Sequence, residues 1–134
     1  MTTQGQKTKV EPDEKLVIVI DDDPLVLEAT TGLLNSWGCQ VVSAESYAAV
    51  LDKLTQLSRS PDLIICDYRL SEGKTGIDVI LQLRSIYKVP ALLISGDPLP
   101  GDDEDSGCGY RRLQKPLDVA RFRAALVGAS VLQR

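Results

Sequence analysis

Five short apolar runs, separated by segments of helical periodicity, constrain this chain more than any other feature. The first, Lys15-Leu-Val-Ile-Val-Ile20, is a continuous β-branched stretch with no polar alternation. That pattern belongs to a strand buried on both faces of a parallel sheet. It stops at Asp21-Asp22-Asp23-Pro24, where Pro24 suits the first position of a helix and Asp23 its N-cap. Leu25, Val26, Ala29, Leu33, Leu34 and Trp37 then recur at helical spacing until Gly38. Further strands are predicted over 39–44, 62–66, 90–94 and, more weakly, 112–114. Helices are predicted over 46–57, from Gly76 to Ile86, and over 118–128.

Strands alternating with helices predict parallel βαβ units with right-handed crossovers, hence a doubly wound α/β sheet of order 2-1-3-4-5. One segment departs from the pattern. Residues 97–109, where a helix is due, hold two prolines, three glycines and the acidic run 102–105. A degenerate fourth helix is expected there. Residues 1–14 are polar and aperiodic and read as a flexible N-terminal tail, leaving 15–134 as the single domain. No apolar run approaches the ~18 residues that span a membrane, and no basic-then-apolar leader is present, so a cytoplasmic setting is expected.

Composition narrows the chemistry. The chain has no histidine, which removes Ser-His-Asp and Cys-His arrangements and any phosphohistidine of its own. A net charge of −4, with Arg111, Arg112 and Lys115 as the best basic cluster, argues against nucleic acid as a partner. Cys39, Cys66 and Cys108 lack the spacing of zinc or redox sites and read as reduced thiols. Carboxylates, lysines and hydroxyls are left to carry any reaction.

In a doubly wound sheet, function sits at the carboxyl ends of the strands. Those ends carry Asp21 and Asp22, Asp67, Ser95 and Lys115, on strands that the expected order makes neighbours. Two carboxylates ~4–5 Å apart repel by about 3–4 kcal/mol at an effective dielectric near 20, so three together call for a cation. All-oxygen ligands favour Mg²⁺ or Mn²⁺. A metal and an ammonium flanking one carboxylate suit phosphoryl transfer, where the protein supplies position and charge.

These residues resemble the receiver (response-regulator) family of two-component signalling. The likeness rests on Val19-Ile-Asp21-Asp22-Asp23-Pro24, Leu63-Ile-Ile-Cys-Asp67-Tyr-Arg-Leu70, Leu93-Ile-Ser95-Gly96 and Gln114-Lys115-Pro116. It implies a flavodoxin-like fold that accepts a phosphoryl group from a phosphohistidine in a phosphorelay and catalyses its own Mg²⁺-dependent phosphorylation and dephosphorylation. By that resemblance Asp67 is the phosphoacceptor, Asp22 a direct metal ligand and Asp21 a ligand through water. Arg69 would offer its backbone carbonyl to the metal, Ser95 would bond the phosphoryl group, and Lys115 would form the ion pair, followed by a cis bond to Pro116. The implied partner is a histidine kinase or histidine phosphotransfer protein, with the chain a monomer or weak dimer. Residues 67–78 look most like receivers of hybrid histidine kinases.

The chain departs from the family pattern in three places. Ser71 stands where proline is usual, the loop to Gly76 is one residue longer, and Arg112 occupies the position of an aromatic switch residue. Tyr110, the nearest aromatic, comes two positions early. Two other readings compete. A non-phosphorylated interaction module on the same fold would not need the intact set Asp22, Asp67, Ser95 and Lys115. A flavin carrier would need a Ser/Thr/Gly-rich phosphate loop where this chain has Asp21-Asp22-Asp23-Pro24.

Overall fold

The computed structural model describes residues 14–70, 75–96 and 110–132. The first apolar run becomes β1 (Leu16–Ile20), buried at all five positions. In α1 (Pro24–Ser36), Pro24 starts the helix and Asp23 caps it, its Oδ1 accepting from the Leu25 N–H at 3.0 Å. Gly38, at φ 89°, turns the chain out of α1 through a left-handed conformation that costs glycine no Cβ clash. β2 (Gln40–Ala44) and α2 (Tyr47–Leu57) follow, with Ser46 as the α2 N-cap.

The remaining elements are β3 (Leu63–Asp67), α3 (Gly76–Ile86), β4 (Ala91–Ser95), β5 (Tyr110–Gln114) and α4 (Val119–Gly128). The five strands are all parallel and lie in the order β2-β1-β3-β4-β5, as the alternation of elements predicts. β3 and β4 start and end one residue later than expected. Asp67 and Ser95 are therefore the last residues of their strands, in register with Ile94 and Gln114. β5 is two residues longer than expected and pairs along all of β4. The degenerate helix expected within 97–109, Ser71, and the tail before Glu14 lie outside the described residues.

Strand alternation divides the core into two layers. Ile18 and Ile20, Ile64 and Cys66, and Leu93 face one way, against Val50 and Leu54 of α2 and Val79, Ile80 and Leu83 of α3. Val17, Val19, Ile65 and Leu92 face the other way, against Leu34 of α1 and Phe122 and Leu126 of α4. Both faces of the central strands are thus sealed, which holds their carboxyl ends in fixed positions. At the opposite, amino end of the sheet, Glu14 and Leu132 line one cleft with Trp37. Among the described residues no helix is long and apolar enough to cross a membrane.

Candidate functional site

Four of the residues singled out by sequence meet at the carboxyl ends of β1, β3, β4 and β5. Asp21, Asp67 and Ser95 are buried, each about 5–6% exposed. Lys115 reaches in from the residue after β5. Its Nζ donates to Asp67 Oδ1 at 2.8 Å and stands 3.6 Å from Asp21 Oδ2. The Lys115 N–H donates to the Ser95 carbonyl at 2.7 Å, which ties the β4 and β5 ends together, and the Lys115-Pro116 bond is cis.

Asp22 completes the acidic group: Asp21, Asp22 and Asp67 each offer a carboxylate oxygen within 4.8 Å of the others. Asp23 stays outside it as a helix cap, but its N–H donates to Asp21 Oδ1 at 2.9 Å. The start of α1 thereby fixes the orientation of the Asp21 carboxylate. Arg69, two residues beyond Asp67, makes an antiparallel bridge with Thr75 across the mouth of the following loop.

Electrostatics show what the group lacks. Burial pushes the Asp21 carboxyl above its ordinary range, and the charges of Asp67 and Asp22 add to that; the Asp23 N–H and Lys115 offset it only in part. Burial works against the Lys115 ammonium, but its hydrogen bond to Asp67 and the charges of Asp21 and Asp67 outweigh this and raise its pKa. Among the described residues one ammonium, that of Lys115, faces this trio, bonded to Asp67 and close to Asp21. The deficit of positive charge and the all-oxygen donor set fit a hard divalent cation.

Two contacts around Asp67 were not read from the sequence. Gly76, at the first position of α3, presses so closely on the strand end that a Cβ there would sit 2.2 Å from the Asp67 carbonyl oxygen and 2.9 Å from Leu93 Cδ1. Its N–H donates to the Tyr68 carbonyl at 2.7 Å. The Cys66 thiol donates to the same Asp67 carbonyl at 3.4 Å, and burial pushes its pKa far up. A capping box between Thr75 and Asp78 holds the α3 start in place; the pattern Thr-x-x-Asp was available in the sequence as its signal. Tyr110, by contrast, is a core residue at the amino end of β5, opposite Ala91 and remote from the pocket end of the strand.

A parallel 2-1-3-4-5 sheet that gathers an acidic trio, a hydroxyl and a lysine at its strand ends defines a signalling receiver. The chain belongs to the response regulator receiver domain family, whose model matches residues 17–126. It is 27% identical over 121 residues to the phyllosphere-induced regulator PhyR of Methylorubrum extorquens, covering 88% of this chain and 44% of that protein. It is 36% identical over 117 residues to the transcriptional regulatory protein KdpE of Mycobacterium tuberculosis, covering 85% and 50%. The chain thus spans about half the length of these curated relatives. A response regulator receiver protein from Sinorhizobium medicae has the same fold, with a TM-score of 0.75 at 21% identity over 89% of this chain and 96% of that one.

Proposed function

We propose that this receiver accepts a phosphoryl group on Asp67 from the phosphohistidine of a histidine kinase or histidine phosphotransfer protein, with Mg²⁺ or Mn²⁺ bound beside it. The observation that carries the reading is the placing of Lys115 at 2.8 Å from Asp67 Oδ1 while two further carboxylates crowd the same acid. A carboxylate oxygen of Asp67 forms the new P–O bond as the P–N bond to the donor breaks. Lys115 holds the Asp67 carboxylate in position and faces the charge that the phosphoryl oxygens bring. Ser95 stands at the neighbouring strand end to donate its hydroxyl proton to one of those oxygens.

Asp21, Asp22 and Asp67, with the backbone carbonyl of Arg69, would hold the cation. When bound, it supplies the second positive charge that phosphoryl transfer needs. Attachment to a hybrid histidine kinase rests only on the likeness of residues 67–78. Incubation with acetyl phosphate and Mg²⁺, followed by intact mass measurement, tests the reading. One phosphoryl group should be gained, and neither the Asp67→Asn protein nor an EDTA-treated sample should gain it. Equal labelling of Asp67→Asn would refute the assignment.

A further inference from the structure

A hollow of about 460 Å³ adjoins the acidic trio on the side of the sheet that α1 covers. Most of its wall is hydrocarbon. Val19 and Ile65 line it from the sheet, Val26 and Ala29 from α1, and Leu117 from the segment that leads into α4. Asp21, Asp67 and Lys115 line the same hollow, so it shares two carboxylates with the site described above.

Phosphoryl transfer leaves these apolar walls unexplained. They offer no oxygen to a cation and no proton to a phosphoryl group. Apolar walls with a few polar groups converging at one place, in a space of roughly 300–1,000 Å³, are the usual form of a small-molecule site. The convergent groups here decide the sign of the ligand. Asp21, Asp22 and Asp67 bring carboxylate oxygens within 4.8 Å of one another, and among the described residues the ammonium that faces them is that of Lys115. Lys115 also shows how such a charge is held. Its side chain joins the wall of the hollow, and its Nζ donates to Asp67 Oδ1 at 2.8 Å and stands 3.6 Å from Asp21 Oδ2. An alkyl stem ending in an ammonium is thus already accommodated beside these acids.

We propose that the hollow binds a small amphipathic amine, its apolar body against Ala29, Ile65 and Leu117 and its protonated nitrogen on Asp21 and Asp67. Burial of the body removes hydrocarbon from water, and the charged nitrogen selects the amine over a neutral or anionic molecule of the same shape. The amine and a divalent cation claim the same carboxylate oxygens, so each excludes the other. Binding itself is independent of phosphoryl transfer; the competition rests on the cation site proposed above.

The test is a nitrogen-15 NMR titration of the whole, metal-free chain with phenethylamine. Shifts are expected at the amides of 19–21, 26–30, 65–67, Lys115 and Leu117, and not in β2. The neutral 2-phenylethanol should bind at least about tenfold more weakly, because it forfeits charged hydrogen bonds, and phenylacetate should not bind. Ala29 is exposed within α1, and leucine is a good helix former, so Ala29→Leu should keep the fold while its larger side chain occupies the hollow. That variant should lose the amine by about tenfold or more and keep the Mg²⁺ affinity of the unaltered protein. Absence of shifts at millimolar amine, equal affinity for 2-phenylethanol or phenylacetate, or unchanged amine binding in Ala29→Leu would each overturn the proposal. So would amine binding that persists at Mg²⁺ concentrations shown by metal titration to saturate the protein.

Discussion

Replacing Gly76 by alanine isolates the contact that holds Asp67 in place. In an ordinary helix this change helps, by up to ~1 kcal/mol from propensity and the lower entropy of the unfolded chain. Here the added Cβ would meet the Asp67 carbonyl oxygen at 2.2 Å, its carbon at 2.9 Å and Leu93 Cδ1 at 2.9 Å. The first contact is roughly 1 Å too short, and the atom it strikes is backbone rather than a flexible side chain. Neither side yields easily. Asp67 is in register with Ile94 in the sheet, and α3 is seated by fully buried Val79, Ile80 and Leu83. Overpacking of this kind costs about 1–3 kcal/mol beyond the propensity gain, or a fall in Tm of roughly 3–10 °C for a domain of this size.

Gly32 supplies the control. It lies within α1, is exposed, and has nothing within 4 Å of a Cβ, so Gly32→Ala should stabilise by about 0.5–1 kcal/mol. Thermal melts followed by circular dichroism give both signs, and acetyl phosphate labelling reports whether Asp67 has moved. The expected result is one substitution with opposite effects at two sites, with slower labelling only in Gly76→Ala. A Gly76→Ala protein as stable as Gly32→Ala, labelling at the normal rate, would refute the reasoning.

Asp22→Ala should weaken Mg²⁺ binding by about tenfold or more, because a hard cation loses a charged oxygen, as read by metal titration. Asp23→Ala should cost about 1 kcal/mol for the lost cap and leave metal affinity nearly unchanged, since its link to Asp21 is a backbone N–H. Asp21→Asn should raise the Tm of metal-free protein at neutral pH. Burial raises the Asp21 pKa on folding, so its ionised form opposes folding above that raised pKa, and the penalty vanishes as the pH falls below 3.8. Saturating Mg²⁺ should abolish or reverse that advantage. The Cys66 thiol, buried and with its pKa pushed up, should resist alkylation in the folded protein and react only at the rate of unfolding, as peptide mass mapping would show.

The sequence displayed the site better than its supports. Asp21, Asp67 and Ser95 each follow or end a fully buried apolar strand, so the apolar runs placed them at one end of the sheet, and Lys115 followed from the weaker last strand. Strand ends were less legible: Asp67 is polar, but its ladder position opposite Ile94 makes it part of β3. β5 was underestimated because Arg111, Arg112 and Gln114 interrupt its apolar character, as befits an edge strand. The close approach of Gly76 to Asp67 arises from the way the start of α3 packs back on the end of β3. No local pattern announces it. The cap at Asp23 was readable from Pro24, but the same residue's N–H holding Asp21 was not, since it depends on the direction in which α1 leaves the sheet.

Glu14 and Leu132 line the same cleft as Trp37 at the amino end of the strands. Five-residue parallel strands set that cleft about 16 Å from the plane of the acidic pocket. A dye, a surface tether or a fused reporter joined near either residue therefore approaches from the far side of the sheet. The phosphoryl transfer proposed at Asp67 can be watched from a handle that does not stand in its way.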